Sequence, residues 1–313
     1  MNTKKLIILS CLVIHPVYAE QISCADIPDE KVRLQCYDEL SRQDYPKRKS
    51  LDALLPRERF EYLRNRETFT LSPYEPIYFM PVAYANKTNE EPFLALNQPA
   101  LEKLEVKYQI STRVKISDKI LGEGMDVWFG YTQKTFWQLY NNDLSAAFRE
   151  TDYKPELWIS CKTGWELFEF TNRFVDVGIT HESNGQSELL SRSWNRVFVR
   201  FGLEYDRWAM MFMPWIRISE NADDDDNPDI EEYAGKAEFR VYHKRETHMY
   251  AMVVRNNLDT DINRGSVEFN VVFPFEGRLK GMLQYFNGYG ESLIDYDKKM
   301  RRVSLGLVLI DWL

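Results

Sequence analysis

The stretch Asp176-Val-Gly-Ile-Thr-His181-Glu-Ser183-Asn-Gly185, with Asn195-Arg-Val-Phe-Val-Arg-Phe201 close behind it, decides the fold class of this chain. Side chains two residues apart share a side only on an extended strand; on a helix they diverge by about 200°. Read with a period of two, Val177, Ile179, His181 and Ser183 form one face, and Asp176, Gly178 and Thr180 the other. The second segment sets Asn195, Val197, Val199 and Phe201 against Arg196, Phe198 and Arg200. Gly185 and its polar neighbours mark the turn between them. Antiparallel pairing through that turn brings Asn195 towards His181 on the same apolar face. A hydroxyl, an imidazole and an orienting amide therefore emerge where an aliphatic surface ends near a loop. Such a face implies a substrate that arrives through lipid. The competing reading is plain strand patterning without chemistry, because a His-x-Ser pair is common by chance.

The same texture runs on from about Glu105. Segments 106–116, 127–137, 238–242, 249–254, 267–272, 278–286 and 303–309 alternate apolar with polar or small residues. In one of them Val127, Phe129, Tyr131, Gln133 and Trp137 share the outer face. The span holds about twelve strands of roughly ten residues each. An even count, closed by the C-terminal strand, removes both sheet edges. Arg196, Arg200 and Lys134 fall on the inner face, where a dry core rejects them and a small barrel lumen accepts them as a paired network. After residue 19 no apolar run is long enough for a transmembrane helix, so a membrane could be crossed only by a closed barrel. The 18 Tyr, 18 Phe and 8 Trp fit aromatic girdles at the two interfaces. A net charge of −8 and the lack of a basic stripe with interleaved aromatics argue against a nucleic-acid partner. A secreted soluble β-protein is disfavoured by the outward aliphatic stripes.

Residues 1–19 read as a signal peptide, with Lys4 and Lys5 before a short apolar run and cleavage after Ala19. Residues 20–100 read as a periplasmic extension with helical patches near 29–40 and 51–66. Pro73, Pro76, Pro81, Pro92 and Pro99 break its second half into extended pieces. In an exported protein Cys24 and Cys36 are expected to form a disulfide, leaving Cys161 single. The barrel domain is expected over 101–313.

Six stretches, the opening one among them, follow one another along the chain. They are Tyr131-Thr-Gln-Lys134 with Trp137-Gln-Leu139, Phe148-Arg-Glu-Thr-Asp-Tyr153, His181-Glu-Ser-Asn-Gly185, Ser191-Arg-Ser-Trp-Asn-Arg196, Asp226-Asn-Pro-Asp-Ile230 and Gly288-Tyr-Gly-Glu-Ser-Leu-Ile-Asp-Tyr296. Together they resemble the outer-membrane phospholipase A family, calcium-dependent barrel hydrolases of diderm bacteria. The resemblance implies an all-β, twelve-stranded antiparallel barrel with its site on the outside, at the outer leaflet. It implies Ser183 as nucleophile, His181 as general base and Asn195 as the group that fixes the imidazole tautomer. It implies hydrolysis of phospholipid and lysophospholipid acyl esters, with membrane phospholipids as substrate and a homodimer as the active state. For Ca²⁺ it aligns Ser145 with a hydroxyl ligand from one subunit, and Ser191 with the hydroxyl ligand from the other. Gln186 stands where the family supplies a backbone carbonyl, and Asp226 where it has a carboxylate linked to a calcium site in the monomer. Glu188 replaces an expected Asp, and Gln133 matches the residue that hydrogen-bonds across the dimer. The acidic run before Asp226 reads as a solvated loop. A silent barrel, either a narrow channel or a structural protein, has no use for Ser183, His181 and Asn195 together on its lipid face.

Overall fold

The computed structural model describes Leu34 and residues 68–313, apart from 121, 123, 222, 224, 278 and 313. The expected signal peptide, most of the extension and the Cys24–Cys36 pair lie outside the described residues. Among the described residues, the short β1 (Leu71–Pro73) precedes β2 (Ile77–Ala85), helix α1 (Glu91–Ala95), β3 (Leu104–Ser117), β4 (Met125–Trp137) and β5 (Phe148–Lys162). A two-residue β6 (Glu166–Leu167), β7 (Phe170–Ser183), β8 (Ser193–Tyr205) and β9 (Trp208–Ile218) follow. Helix α2 (Ile230–Ala234) leads to β10 (Ala237–Arg245), β11 (His248–Asn256), β12 (Gly265–Glu276), β13 (Leu279–Gly288) and β14 (Met300–Ile310).

Twelve of these strands close on themselves, each antiparallel to its neighbours, and the seam is the pairing of β14 with β2. The barrel therefore starts earlier than the expected residue 101. Eleven wall strands follow Leu104, and the twelfth, β2, comes from the stretch assigned to the extension. An odd count would set β14 parallel to β3; β2 restores the antiparallel closure. Its pattern was hidden by Pro81. The pairings with both β3 and β14 slip around that residue, so Phe79 and Val82 are both exposed although their parity differs. Proline donates no ladder hydrogen bond and is tolerated at such a bulge.

Alternation puts Ile110, Phe129, Leu157, Val177, Ile179, Val197, Leu283 and Leu305 on the exposed outer wall. The lumen is lined by buried ion pairs. Arg149 contacts Glu105 and Asp295, Arg302 contacts Glu105 and Glu291, and Arg200 contacts Glu156 and Asp176. Lys134 and Arg196 join this network through Asp152 and Glu182, as expected for inner-face cations. One end of the barrel has tight turns such as 206–207 and 246–247, and the other carries the longer connections 86–103, 138–147, 184–192, 219–236 and 289–299. These pack on each other: Phe93, Leu101, Leu190 and Ile294 form a small apolar core above the lumen.

Candidate active site

The candidate triad sits at the long-loop end of the outer wall, where β7 and β8 pair. Their register sets His181 opposite Asn195 and Val177 opposite Val199, as the alternation requires. His181 is exposed, while Ser183 and Asn195 are half-buried. His181 Nδ1 lies 2.9 Å from Asn195 Oδ1. An amide oxygen only accepts, so Nδ1 carries the proton and Nε2 is left with its lone pair. Ser183 lies two residues along on the same face. Next to it the β5–β7 ladder is interrupted: partners pass from Tyr153 with Ser183 to Glu156 with Thr180. Pro155 falls in that gap, beside His181, and has no N–H to give.

The residues between the triad members anchor the two strands from inside. Glu182 accepts from Trp194 Nε1 at 3.1 Å and from Arg196 Nη2 at 2.6 Å, and the Arg196 guanidinium lies 3.7 Å from the centre of the Trp194 ring. Gly178 leaves room for Trp158 and Phe198, since a Cβ there would lie 2.5 Å from Leu157 O and 2.8 Å from the Phe198 ring. Beyond β7, Asn184 shapes the connecting loop. Its Nδ2 donates to Leu190 O and to Glu150, and its Oδ1 accepts from the backbone N–H of Arg192 at 3.0 Å. Glu150 also accepts from Ile294 N, so the loop carrying the candidate ligands is tied to segment 289–299.

Of the residues aligned with calcium ligands, the structure brings two together. Ser191 Oγ donates to Asp226 Oδ2 at 2.5 Å. Gln186 is exposed in the same loop as Ser191. Ser145 is exposed on the separate loop 138–147, at φ 51°. Among the described residues no cluster of three His, Cys, Asp or Glu side chains gathers. A cation here would rely on hydroxyl, carbonyl and water oxygens with a carboxylate, a hard donor set that fits Ca²⁺. Asp223 is exposed, as expected of a solvated loop, but Asp225 is half-buried and partnered. Asp225 pairs with Arg217 at 2.6 Å and accepts from Asn227 N, and Asn227 Oδ1 in turn accepts from Ser193 N at 2.9 Å.

Known proteins share this barrel and much of this sequence. The sequence profile described as Phospholipase A1 matches residues 56–309. The chain belongs to the phospholipase A1 family. Members named phospholipase A1 include one from Escherichia coli K12, 34% identical over 245 residues that cover 78% of this chain and 82% of that protein. Another, from Salmonella typhimurium, is 36% identical over 247 residues, 78% of this chain and 82% of its own. A Neisseria meningitidis putative phospholipase A1 is 36% identical over 249 residues, and the chain spans 65% of its length. The solved outer membrane phospholipase A of Escherichia coli superposes with a TM-score of 0.73 at 33% identity, over 79% of this chain and 95% of that one. The Salmonella typhi enzyme, solved as a dimer with bound calcium, gives 0.72 at 33% identity, over 78% and 93%. Like these members of the phospholipase A1 family, the chain is an outer-membrane β-barrel.

Three polar residues around the candidate site carry roles that the sequence alone does not assign to them. Asn227 and Glu150 act from other elements, and no local spacing marks them. The third, Glu220, accepts a hydrogen bond from Asn195 Nδ2 at 2.8 Å.

Proposed function

We propose that the chain hydrolyses acyl esters of phospholipids and lysophospholipids at the outer leaflet, with Ser183 as nucleophile, His181 as general base and Asn195 as orienting group. The observation that carries this is the His181 Nδ1–Asn195 Oδ1 contact of 2.9 Å on the exposed lipid-facing wall. Nε2 takes the Ser183 hydroxyl proton as Oγ bonds to the ester carbonyl carbon. It returns that proton to the glycerol oxygen as the acyl bond breaks. Water, deprotonated by the same nitrogen, then cleaves the acyl-serine and releases fatty acid. Phospholipid yields lysophospholipid, and lysophospholipid loses its acyl chain in the same way.

The neutral Asn195 amide stabilises an imidazolium less than a carboxylate does, so the developing oxyanion calls for positive charge nearby. Ser191 and the Gln186 backbone carbonyl would hold Ca²⁺ with Ser145 of a second copy, Asp226 would serve a calcium site in the single chain, and the bound ion would supply that charge. A site divided between copies makes calcium binding and homodimerisation mutually reinforcing. A channel would have no use for Ser183, His181 and Asn195 together on its outer wall.

The test is a phospholipid-hydrolysis assay on refolded protein with Ca²⁺ or EDTA, joined to labelling by a sulfonyl fluoride. Parent protein should hydrolyse only with Ca²⁺ and should be labelled. Ser183→Ala should keep the heat-modifiable gel shift of a folded barrel while losing both. Equal labelling of parent and variant would remove Ser183 from its role.

A further inference from the structure

Asn195 is held at both ends of its amide. Oδ1 faces His181 Nδ1, and Nδ2 donates to Glu220 Oε1 at 2.8 Å. Glu220 is half-buried and stands two residues past β9, whose last residue, Ile218, is the register partner of Asn195. The segment that carries it is fixed further along. Arg217 donates to Asp225 Oδ1 at 2.6 Å and to Pro228 O at 2.9 Å, and Asn227 holds the backbone of Ser193.

We propose that Glu220 is a positioning residue for the reaction, acting on His181 through the amide of Asn195. The proposal rests on the reading of Ser183, His181 and Asn195 as the reacting array. An ionised carboxylate only accepts hydrogen bonds, so it selects the orientation in which Asn195 presents Nδ2 to it. Oδ1 must then face the imidazole, which must present Nδ1–H, and Nε2 is left as the base beside Ser183. The carboxylate also places a negative charge behind a neutral amide. That charge polarises the amide and favours the imidazolium that forms when Ser183 is deprotonated. The charge usually found in direct contact with the imidazole is here moved one residue back.

The other groups around His181 leave this role open to Glu220. Tyr153 on β5 is the register partner of Ser183. Glu182 on β7 and Arg196 on β8 are buried and paired with each other at 2.6 Å on the lumen side. Ile218 on β9 is apolar.

The experiment uses refolded full-length protein with Ca²⁺, micellar phospholipid and a sulfonyl fluoride. Glu220→Gln should lower kcat roughly tenfold, with KM held within about twofold. The acid limb of its kcat/KM profile should move to lower pH, because a base deprived of the nearby negative charge loses its proton more readily. Asn195→Asp alone sets two carboxylates side by side and should lose most activity. Combining it with Glu220→Gln restores a donor for the new carboxylate and should recover activity above that single variant. A residue that merely held its loop would shift no limb and rescue nothing. The proposal is overturned if Glu220→Gln matches the parent, or if higher Ca²⁺ alone restores its rate, which would place Glu220 in the metal site. If the parent itself is not labelled at Ser183, the triad reading falls and this proposal with it; a labelled parent with an unchanged Glu220→Gln removes Glu220 alone.

Discussion

At the residue scale the proposed site is defined by constrained hydrogen-bond choices. His181 has one outward position opposite Asn195, and Asn195 has its two ends assigned. Removing the amide should therefore cost orientation rather than the base itself. Asn195→Ala is expected to lower kcat by roughly 10- to 100-fold, less than the complete loss with Ser183→Ala or His181→Ala. Initial rates on micellar phospholipid check this, and a loss as deep as that of Ser183→Ala would mean that the amide does more than orient. These residues were legible because a period of two fixes which side chains share a face. Glu220 was not, since it follows the end of β9, where no periodicity carries over.

At the element scale β7 is the sensitive strand. Its outer face carries His181 and Ser183, and its inner face is packed so closely at Gly178 that any side chain meets backbone. Gly178→Ala should destabilise the barrel by roughly 1–3 kcal/mol, the usual cost of overpacking. The readout is the urea midpoint for unfolding from lipid vesicles, with an unchanged midpoint counting against the packing account. The strands around it followed from alternation in 106–116, 127–137 and 303–309, which fall within β3, β4 and β14. The strand that escaped, β2, is the one whose parity slips at Pro81.

At the scale of the whole molecule, the lumen network and the outer wall answer to different variables. Glu291, on the loop that closes the barrel mouth, lies 3.0 Å from Lys107 and 2.7 Å from Arg302. Burial alone raises its pKa, but Arg302 and then Lys107 outweigh it, and the carboxyl is held down to about 2 from 4.5. A depressed folded pKa gives stability that is complete above the unfolded value and lost as pH falls towards the folded one. The barrel should thus lose up to about 3 kcal/mol between pH 4.5 and 2 from this group. Glu291→Gln should flatten that part of the urea-stability profile against pH; a slope equal to the parent's would assign the acid sensitivity elsewhere. On the outer wall Gln133 accepts from Tyr131 Oη at 3.2 Å and donates to Thr135 Oγ1 at 3.3 Å, a polar row on an apolar face. Under the proposed dimer, Gln133→Leu should leave the barrel folded and weaken association by about 1–2 kcal/mol. Chemical crosslinking in detergent with Ca²⁺ or EDTA measures it, and equal crosslinking of parent and variant would remove Gln133 from the interface.

The sequence by itself determined the class of the wall and the face that His181, Ser183 and Asn195 share. Both follow from alternation, a local property: every second side chain shares an environment, so aliphatic, hydroxyl and imidazole groups at odd positions had to emerge together. It also placed Arg196, Arg200 and Lys134 inside, because an extended strand has only two sides. Only the tertiary structure decided how the barrel closes, which acids answer those cations, and what stands behind Asn195. Closure depends on β14 meeting β2 across more than two hundred residues, and Pro81 hides the local signal for β2. The contact of Glu220 with Asn195 spans 25 residues and arises because β9 pairs with β8 and its outgoing loop folds back over the site.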